Sequence, residues 1–241
     1  MKPLGKKAYG SIPHLIGSKL GEGDHHIHEG QQRICTEKTR DKHDTIIIQE
    51  KYDGSCVSAC RIDGQIIALT RAGYTAESSP YIQHHYFAKW VAENSSHFRE
   101  ILSDGERIVG EWMLQAHGLR YEIHNEPFIA FDLFTAKNER VIYNTFMKRV
   151  SGYFHTPEAF IVPPCQPLDA IRALSNDSWR PVAALEDIEG VVYRVERNGK
   201  VDFLAKFVRA DFVPGKYLPE ISGKPEVFNV PLESVVKYIV C

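Results

Sequence analysis

The sequence predicts an α+β fold with mainly antiparallel sheets. Three observations carry that prediction. Short apolar runs rich in Val, Ile and Phe recur at strand length along most of the chain. Asp63-Gly64 and Asn198-Gly199 each join two such runs at hairpin spacing, and a hairpin pairs its strands antiparallel. One long segment, 81–102, instead repeats its apolar residues at helical intervals. The mixture lacks the regular strand–helix alternation of a parallel sheet.

Taken in order, residues 1–44 are rich in Gly, His, Lys and charge. Within them His25, His26 and His28 form a histidine cluster with no matching Cys or His pair at ligand spacing, so a solvated loop is favoured over a metal site. Residues 33–44 read as an exposed charged strand or turn, although Lys38, Arg40 and Lys42 could also meet phosphates. Strands are predicted over 45–49, 56–62 and 65–70, with Cys56 and Cys60 on one face of the second. Pro80 suits the first turn of a helix over 81–102, with Ser78 and Ser79 as caps and Phe87, Val91, Phe98 and Leu102 facing the core. His84, His85 and His97 on that helix are read as surface or structural residues. Strands follow over 107–114 and 127–135. Asn144 is placed as the cap of a helix reaching Phe154, then come a strand over 157–162, a helix over 167–174, and strands over 188–196 and 200–208. The tail after Pro214 is punctuated by Pro and Gly, and its apolar end, 235–240, is expected to pack back on the body.

Composition narrows the function classes. The 241 residues, 43% of them hydrophobic, suffice for a full core in one large domain or two small ones. Charged residues make up 25% and the net charge is −2, so any basic groove for nucleic acid must be local. No apolar run approaches the ~20 residues needed to cross a bilayer. The start, Met1-Lys2-Pro3-Leu4-Gly5-Lys6-Lys7, lacks the apolar core of a signal peptide. Cys35, Cys56, Cys60, Cys165 and Cys241 are odd in number and scattered, which fits a reducing cytoplasm better than a disulfide framework. A cytoplasmic protein with no membrane partner is expected.

One stretch carries chemistry: Gln49-Glu50-Lys51-Tyr52-Asp53-Gly54-Ser55, directly after the buried run Thr45-Ile46-Ile47-Ile48. Lysine attacks only when neutral, and burial with neighbouring positive charge lowers its pKa. Alone, the stretch reads better as a strand ending in a charged turn. Five further stretches follow it, each at the edge of a predicted strand: Thr70-Arg71-Ala72-Gly73, Gly110-Glu111-Trp112, Phe131-Asp132-Leu133, Glu189-Gly190-Val191-Val192-Tyr193-Arg194 and Ala205-Lys206-Phe207. Taken singly, Glu111 and Glu189 could be surface carboxylates, Phe131 a core residue, and Lys206 and Arg209 edge-strand charges.

In that order, over residues 31–213, the motifs resemble those of the covalent nucleotidyltransferase superfamily of DNA and RNA ligases and mRNA capping enzymes. The form Glu50 to Ser55, His117 and Tyr121 after Gly110-Glu111-Trp112, and the run Phe128 to Asp132 are similar to the ATP-dependent RNA ligase family. The resemblance implies an ATP-grasp-like ligase adenylation domain over 1–241, with 1–44 as an N-terminal extension and 214–241 as a tail packed on it. No C-terminal OB-fold is expected, because the stretch after Phe207 is shorter than the ~50 residues of a small domain.

The resemblance also implies roles. Lys51 would be the covalent nucleophile. Lys206 would contact the α-phosphate and depress the Lys51 pKa. Glu111 and Glu189 would hold Mg²⁺ or Mn²⁺, with Glu189 also in the nucleotide site. Phe131 would stack on adenine. Arg71 would bind the ribose or the phosphate of the RNA end. Glu50, Asp53 and Gly54 would complete the nucleotide site, the last two by shaping the nucleophile loop. His117 and Arg209 are weaker candidates, and Asp132 is read as structural. Where the family often has a second lysine in the last motif, this chain has Val208. The activity implied is ATP-dependent sealing of 5′-phosphate and 3′-hydroxyl RNA ends through lysyl-AMP. Nicked or broken RNA is the expected partner, with DNA as an alternative, and a partner protein could supply an RNA-binding domain. Competing readings are a minimal DNA ligase, a guanylyltransferase, or a module that binds a nucleotide or RNA end without turnover.

Overall fold

Three consecutive isoleucines, Ile46 to Ile48, set the first strand, because β-branched side chains fit a pleated surface buried on both faces. The computed structural model describes residues 2–124, 126–175, 182–231 and 234. In it β1 (Asp44–Lys51) lies inside a four-stranded antiparallel sheet. β9 (Gly190–Arg197) and β10 (Lys200–Val208) stand on one side of it and β7 (Ala159–Ile161) on the other. Strand alternation divides the side chains cleanly. Ile46, Ile48, Val191, Tyr193, Val195, Ala205 and Phe207 pack outward against α1 (Glu29–Thr36) and α5 (Pro167–Ser175). Gln49, Lys51, Val192, Arg194, Leu204 and Lys206 alternate with them and face the other way.

A second antiparallel sheet has the order β3 (Gln65–Thr70), β2 (Ser55–Ile62), β4 (Arg107–Trp112), β6 (Phe128–Phe134). Its outer face buries Val57, Ala59, Ile108 and Phe128 against α2 (Ile82–Glu93), α3 (Ser95–Ile101) and α4 (Tyr143–Val150). Phe87, Trp90, Phe98, Trp112 and Phe128 form the aromatic centre of that core, with ring centroids 5.3–6.2 Å apart. The β4–β6 ladder slips between Val109 and Gly110, which face Asp132 and Ala130, so Phe131 is a bulge residue. A bulge re-aims side chains. Here Phe131 reaches the cleft between the sheets, and Asp132 meets the opposite sheet.

The N-terminal segment joins both sheets. The amides of Ala8 and Tyr9 donate to the Arg71 carbonyl beyond β3. Farther on, Lys206 N donates to Pro13 O, Leu15 N to Lys206 O, and Lys19 N to Val208 O, so residues 13–19 line the edge of β10.

Several local expectations are corrected. Residues 33–36 belong to α1 rather than to an exposed strand, because the His28 ring caps Gly30 N at 3.2 Å and Ile34 and Cys35 find the core. The predicted 81–102 helix breaks at Asn94, whose Nδ2 donates to Trp90 O at 2.9 Å and competes with the backbone ladder. Pro80 stands ahead of α2, where Ser79 Oγ accepts from Tyr81 N. α4 begins at Tyr143 with Ile142 rather than Asn144 at the cap. The pair β5 (Tyr121–Ile123) and β8 (Val182–Ala184) is too short for any periodicity to announce. Asn229 carries part of the tail against β4 and β5, through Leu114 O, Met113 O and Tyr121 N. A short α6 (Pro219–Ser222) precedes it, and the predicted packing of 235–240 lies outside the described residues.

One ion cluster ties the sheets together. Asp132 on β6 is fully buried and accepts from Arg194 Nη1 of β9 at 3.2 Å and from Arg140 Nε at 2.7 Å. Arg194, itself 1% exposed, also bonds Glu196 and the Val141 carbonyl. Asp132→Ala leaves two guanidinium groups without their shared carboxylate. It is expected to lower stability by about 3–5 kcal/mol in urea unfolding. A loss under about 1 kcal/mol would show that the cluster does not hold the sheets.

Candidate active site

The inner faces of the two sheets enclose a cavity of about 320 Å³. Gln49, Lys51, Val192, Leu204 and Lys206 line it from the first sheet. Cys56, Glu111 and Phe131 line it from the second, with Arg71 just beyond β3. Tyr9, Gly10 and Ile12 of the N-terminal segment close one side. Lys51 is the last residue of β1, and its register partner is Gly190. That pairing sets Glu189 beside it, and Lys51 Nζ donates to Glu189 Oε2 at 2.7 Å. A side chain at Gly190 would begin 1.9 Å from the Phe207 carbonyl oxygen, so glycine is the residue that lets β10 approach here.

The turn after Lys51 is fixed from three directions. Asp53 Oδ2 accepts from Gly118 N at 2.5 Å and Leu119 N at 3.0 Å. The Tyr121 hydroxyl accepts from Asp53 N at 3.1 Å. Glu111 Oε1 accepts from Gly54 N at 3.2 Å. A Cβ on Gly54 would lie 2.7 Å from the Trp112 carbonyl oxygen. Asp53 and Gly54 thus hold the nucleophile loop, with the Asp53 carboxylate turned to backbone amides rather than to the cavity.

Electrostatics sets the resting state. Burial pushes the Glu111 carboxyl up to about 8, and Lys51 only partly offsets this. Burial likewise pushes Glu189 up to about 7, against the pull of Lys51. For Lys51, burial lowers the pKa, but the Glu189 and Glu111 carboxylates outweigh it and the net direction is up. The expectation that Lys206 depresses the Lys51 pKa is therefore corrected for this state: carboxylates govern it. Lys206 itself is lowered, by burial first and then by the charge of Lys51.

Glu111, half-buried, and Glu189, buried, present two carboxyls whose raised pKa values favour protons that a hard divalent cation would replace. Among the described residues no three His, Cys, Asp or Glu side chains converge into a complete metal cage. A cation on this pair would keep water or phosphate oxygens in its shell, as Mg²⁺ does.

His117 and Arg209 fall outside the cavity wall. His117 Nε2 pairs with Gln83 Oε1 at 3.0 Å. Arg209 Nε donates to Ile188 O at 2.6 Å and its Nη2 to Asp187 O at 3.0 Å, while Nη1 meets Asp211 at 2.7 Å. Arg209 thereby braces the loop ahead of Glu189 and is not free for a phosphate. Glu50 lines the cavity, with strand alternation turning its side chain away from the Lys51 face. His25 and His26 are exposed, and His28 caps α1. Gln49 was legible from its place two residues before Lys51 on one strand face but carried no motif. Tyr9 and Ile12 had no local signal.

The RNA ligase family model matches residues 44–208, about the whole span from β1 to β10. The chain belongs to the RNA ligase family. Its structure is similar to an archaeal ATP-dependent RNA ligase (form 2), with 18% identity and a TM-score of 0.52, over 83% of this chain and 48% of that one. Form 1 of the archaeal ligase shares 21% identity with a TM-score of 0.48, over 69% of this chain and 43% of that one. A Naegleria gruberi RNA ligase with pyrophosphate shares 15% identity with a TM-score of 0.47, over 88% and 62%. The RNA ligase chain described here thus spans about half the length of the archaeal ligases it matches. No curated protein matches its sequence. Its fold is that of an RNA ligase nucleotidyltransferase domain, an α+β body of antiparallel sheets.

The raised carboxyls have a consequence for stability. Both keep protons that the unfolded chain releases near its ordinary value of 4.5, so their contribution to stability falls as pH rises from about 4.5 to about 8 and is flat beyond. Glu111→Gln, which still accepts from Gly54 N, removes one such group. The variant is expected to be more stable than wild type at pH 8.5, on the order of 1–2 kcal/mol, and equal to it near pH 5, in urea unfolding at the two pH values. Parallel pH curves for the two proteins would contradict a raised Glu111.

Proposed function

We propose that this protein is an ATP-dependent RNA ligase that works through a covalent lysyl-AMP at Lys51. The observation that carries the reading is the placement of Lys51 Nζ at the cavity wall, in contact with Glu189 and on the same sheet face as Lys206. Its similarity in fold to an archaeal ATP-dependent RNA ligase is in keeping with it.

In the proposed reaction Lys51 Nζ, once neutral, attacks the α-phosphorus of ATP. A P–N bond forms, the bond to the bridging oxygen breaks, and pyrophosphate leaves with that electron pair. At rest Lys51 Nζ donates to Glu189 Oε2 at 2.7 Å, and its proton passes to solvent once a cation would hold that carboxylate. Lys206 neutralises charge on the α-phosphate, and Arg71 stands at the cavity for a ribose or phosphate. The Phe131 ring offers a stacking face to the adenine. A divalent cation on Glu111 and Glu189 would neutralise the two carboxylates that hold the Lys51 pKa up, leaving burial to lower it. AMP then passes to the 5′-phosphate of an RNA end, and the 3′-hydroxyl of the other end displaces it. Arg209 and His117 take no part in this scheme. The odd, scattered cysteines support a cytoplasmic setting, and no helix among the described residues is long and apolar enough to cross a membrane.

The test is incubation with α-labelled ATP or GTP and Mg²⁺, read as label retained on denatured protein. Label is expected from ATP, with a loss of more than about 10³-fold in Lys51→Ala. Sealing of nicked RNA in preference to nicked DNA is expected from the same preparation. Label from GTP alone would move the reading to guanylyl transfer, and ATP binding without any label would make the protein a binding module.

A further inference from the structure

Lys206 does not stand alone in the cavity wall. Its ammonium forms an ion pair with Asp24 Oδ1 at 3.6 Å, and Asp24 lies outside the 44–208 span shared with the family. The second Asp24 oxygen, Oδ2, meets His14 Nε2 at 2.8 Å and accepts from Gly21 N at 3.1 Å. His14 is 1% exposed, and its Nδ1 lies 2.6 Å from Ser18 Oγ. Ser18 Oγ in turn accepts from Val208 N at 2.9 Å.

These contacts fix the protons. The Asp24 carboxylate can only accept, so the neutral His14 ring carries its hydrogen on Nε2 and donates it to Asp24. Nδ1 is then an acceptor, and the Ser18 hydroxyl donates to it while accepting from Val208 N. Burial and the charge of Lys206 both keep His14 neutral. A neutral imidazole therefore aims the Asp24 carboxylate, and the remaining Asp24 oxygen is turned to Lys206. The chain of contacts leaves β10 at the Val208 amide and returns to it at the Lys206 side chain, two residues away on the same strand face. At the position where the family pattern calls for another lysine, this chain anchors a bracket.

We propose that Asp24, held by His14 and Ser18, is a positioning residue that fixes the Lys206 ammonium for the α-phosphate of the nucleotide. Lysine has four rotatable bonds and a point charge, so an unbraced Lys206 would reach the phosphate in many poses. A misplaced charge is costly even when binding survives. The carboxylate also opposes the loss of the Lys206 proton that burial and Lys51 favour. This proposal rests on the lysyl-AMP reading and adds three residues to it from the N-terminal segment, Asp24 with His14 and Ser18 behind it.

Asp24→Asn is a selective test. The amide oxygen can replace Oδ2 toward His14 and Gly21, while the amide nitrogen replaces the charged Oδ1 that faces Lys206. Lysyl-adenylate formation is followed in single turnover on the full chain with α-labelled ATP over a range of concentrations. The expected result is a rate at saturating ATP at least about tenfold below wild type, with half-saturation moved by less than about threefold, and partial recovery in Asp24→Glu. A saturating rate within about twofold of wild type would overturn the proposal. So would a change confined to half-saturation, or an Asp24→Glu variant as slow as Asp24→Asn at equal melting temperature. A wild-type protein that forms no adenylate would instead remove the lysyl-AMP reading, and this inference with it.

Discussion

The register between β1 and β9 is the constraint on which the site depends. It pairs Lys51 with Gly190 and so brings Glu189 to a lysine 138 residues earlier in the chain. A slip of one residue would send every side chain of the strand to the opposite face. Ile46 and Ile48 on one face and Gln49 and Lys51 on the other make such a slip expensive, since it would expose isoleucines to the cleft and bury a lysine against α1. Gly190 then allows β10 to close against β9, which brings Lys206 into line opposite Val192. The buried Asp132–Arg194 contact sets the second sheet at a distance where Glu111 and Phe131 complete the wall.

The resting site is acid-rich. A buried and a half-buried carboxyl crowd one lysine, and their raised pKa values follow from the same desolvation that would make the lysine a nucleophile. The lysine is therefore held as an ammonium by its surroundings until those charges are met by something else. A sequence shows which of these groups exist but not their balance, because the sign of the net shift depends on contacts between residues far apart in the chain.

Much of the fold was legible because strands announce themselves locally. Alternation, β-branching and the two Gly turns located eight of the ten strands among the described residues, with Lys51, Arg71, Glu111 and Glu189 at or next to strand ends and Phe131 and Lys206 within strands. What escaped was set by tertiary contacts. Asn94 breaks a helix whose periodicity runs straight through it, and Tyr121–Ile123 pairs with Val182–Ala184 over only three residues each. Lys51, Glu111, Phe131 and Lys206 converge on one cavity, with Glu189 held against Lys51 behind its wall, but Arg209 and His117 do not, since each has polar partners elsewhere. Tyr9, His14 and Asp24 were unreadable: they lie in a segment whose composition suggests only a charged, glycine-rich loop.

The N-terminal segment has a consequence for how the protein is made. Ser18 and Val208 are 190 residues apart, and the partners of residues 13–19 are the last strand of the sheet. During synthesis residues 13–19 emerge well before β10 and wait roughly 10–40 s at about 5–20 residues per second for it to exist. Asp24 can therefore meet Lys206 only after the strand that carries Lys206 has formed, which makes the emergence of β10 the event that completes this side of the cavity.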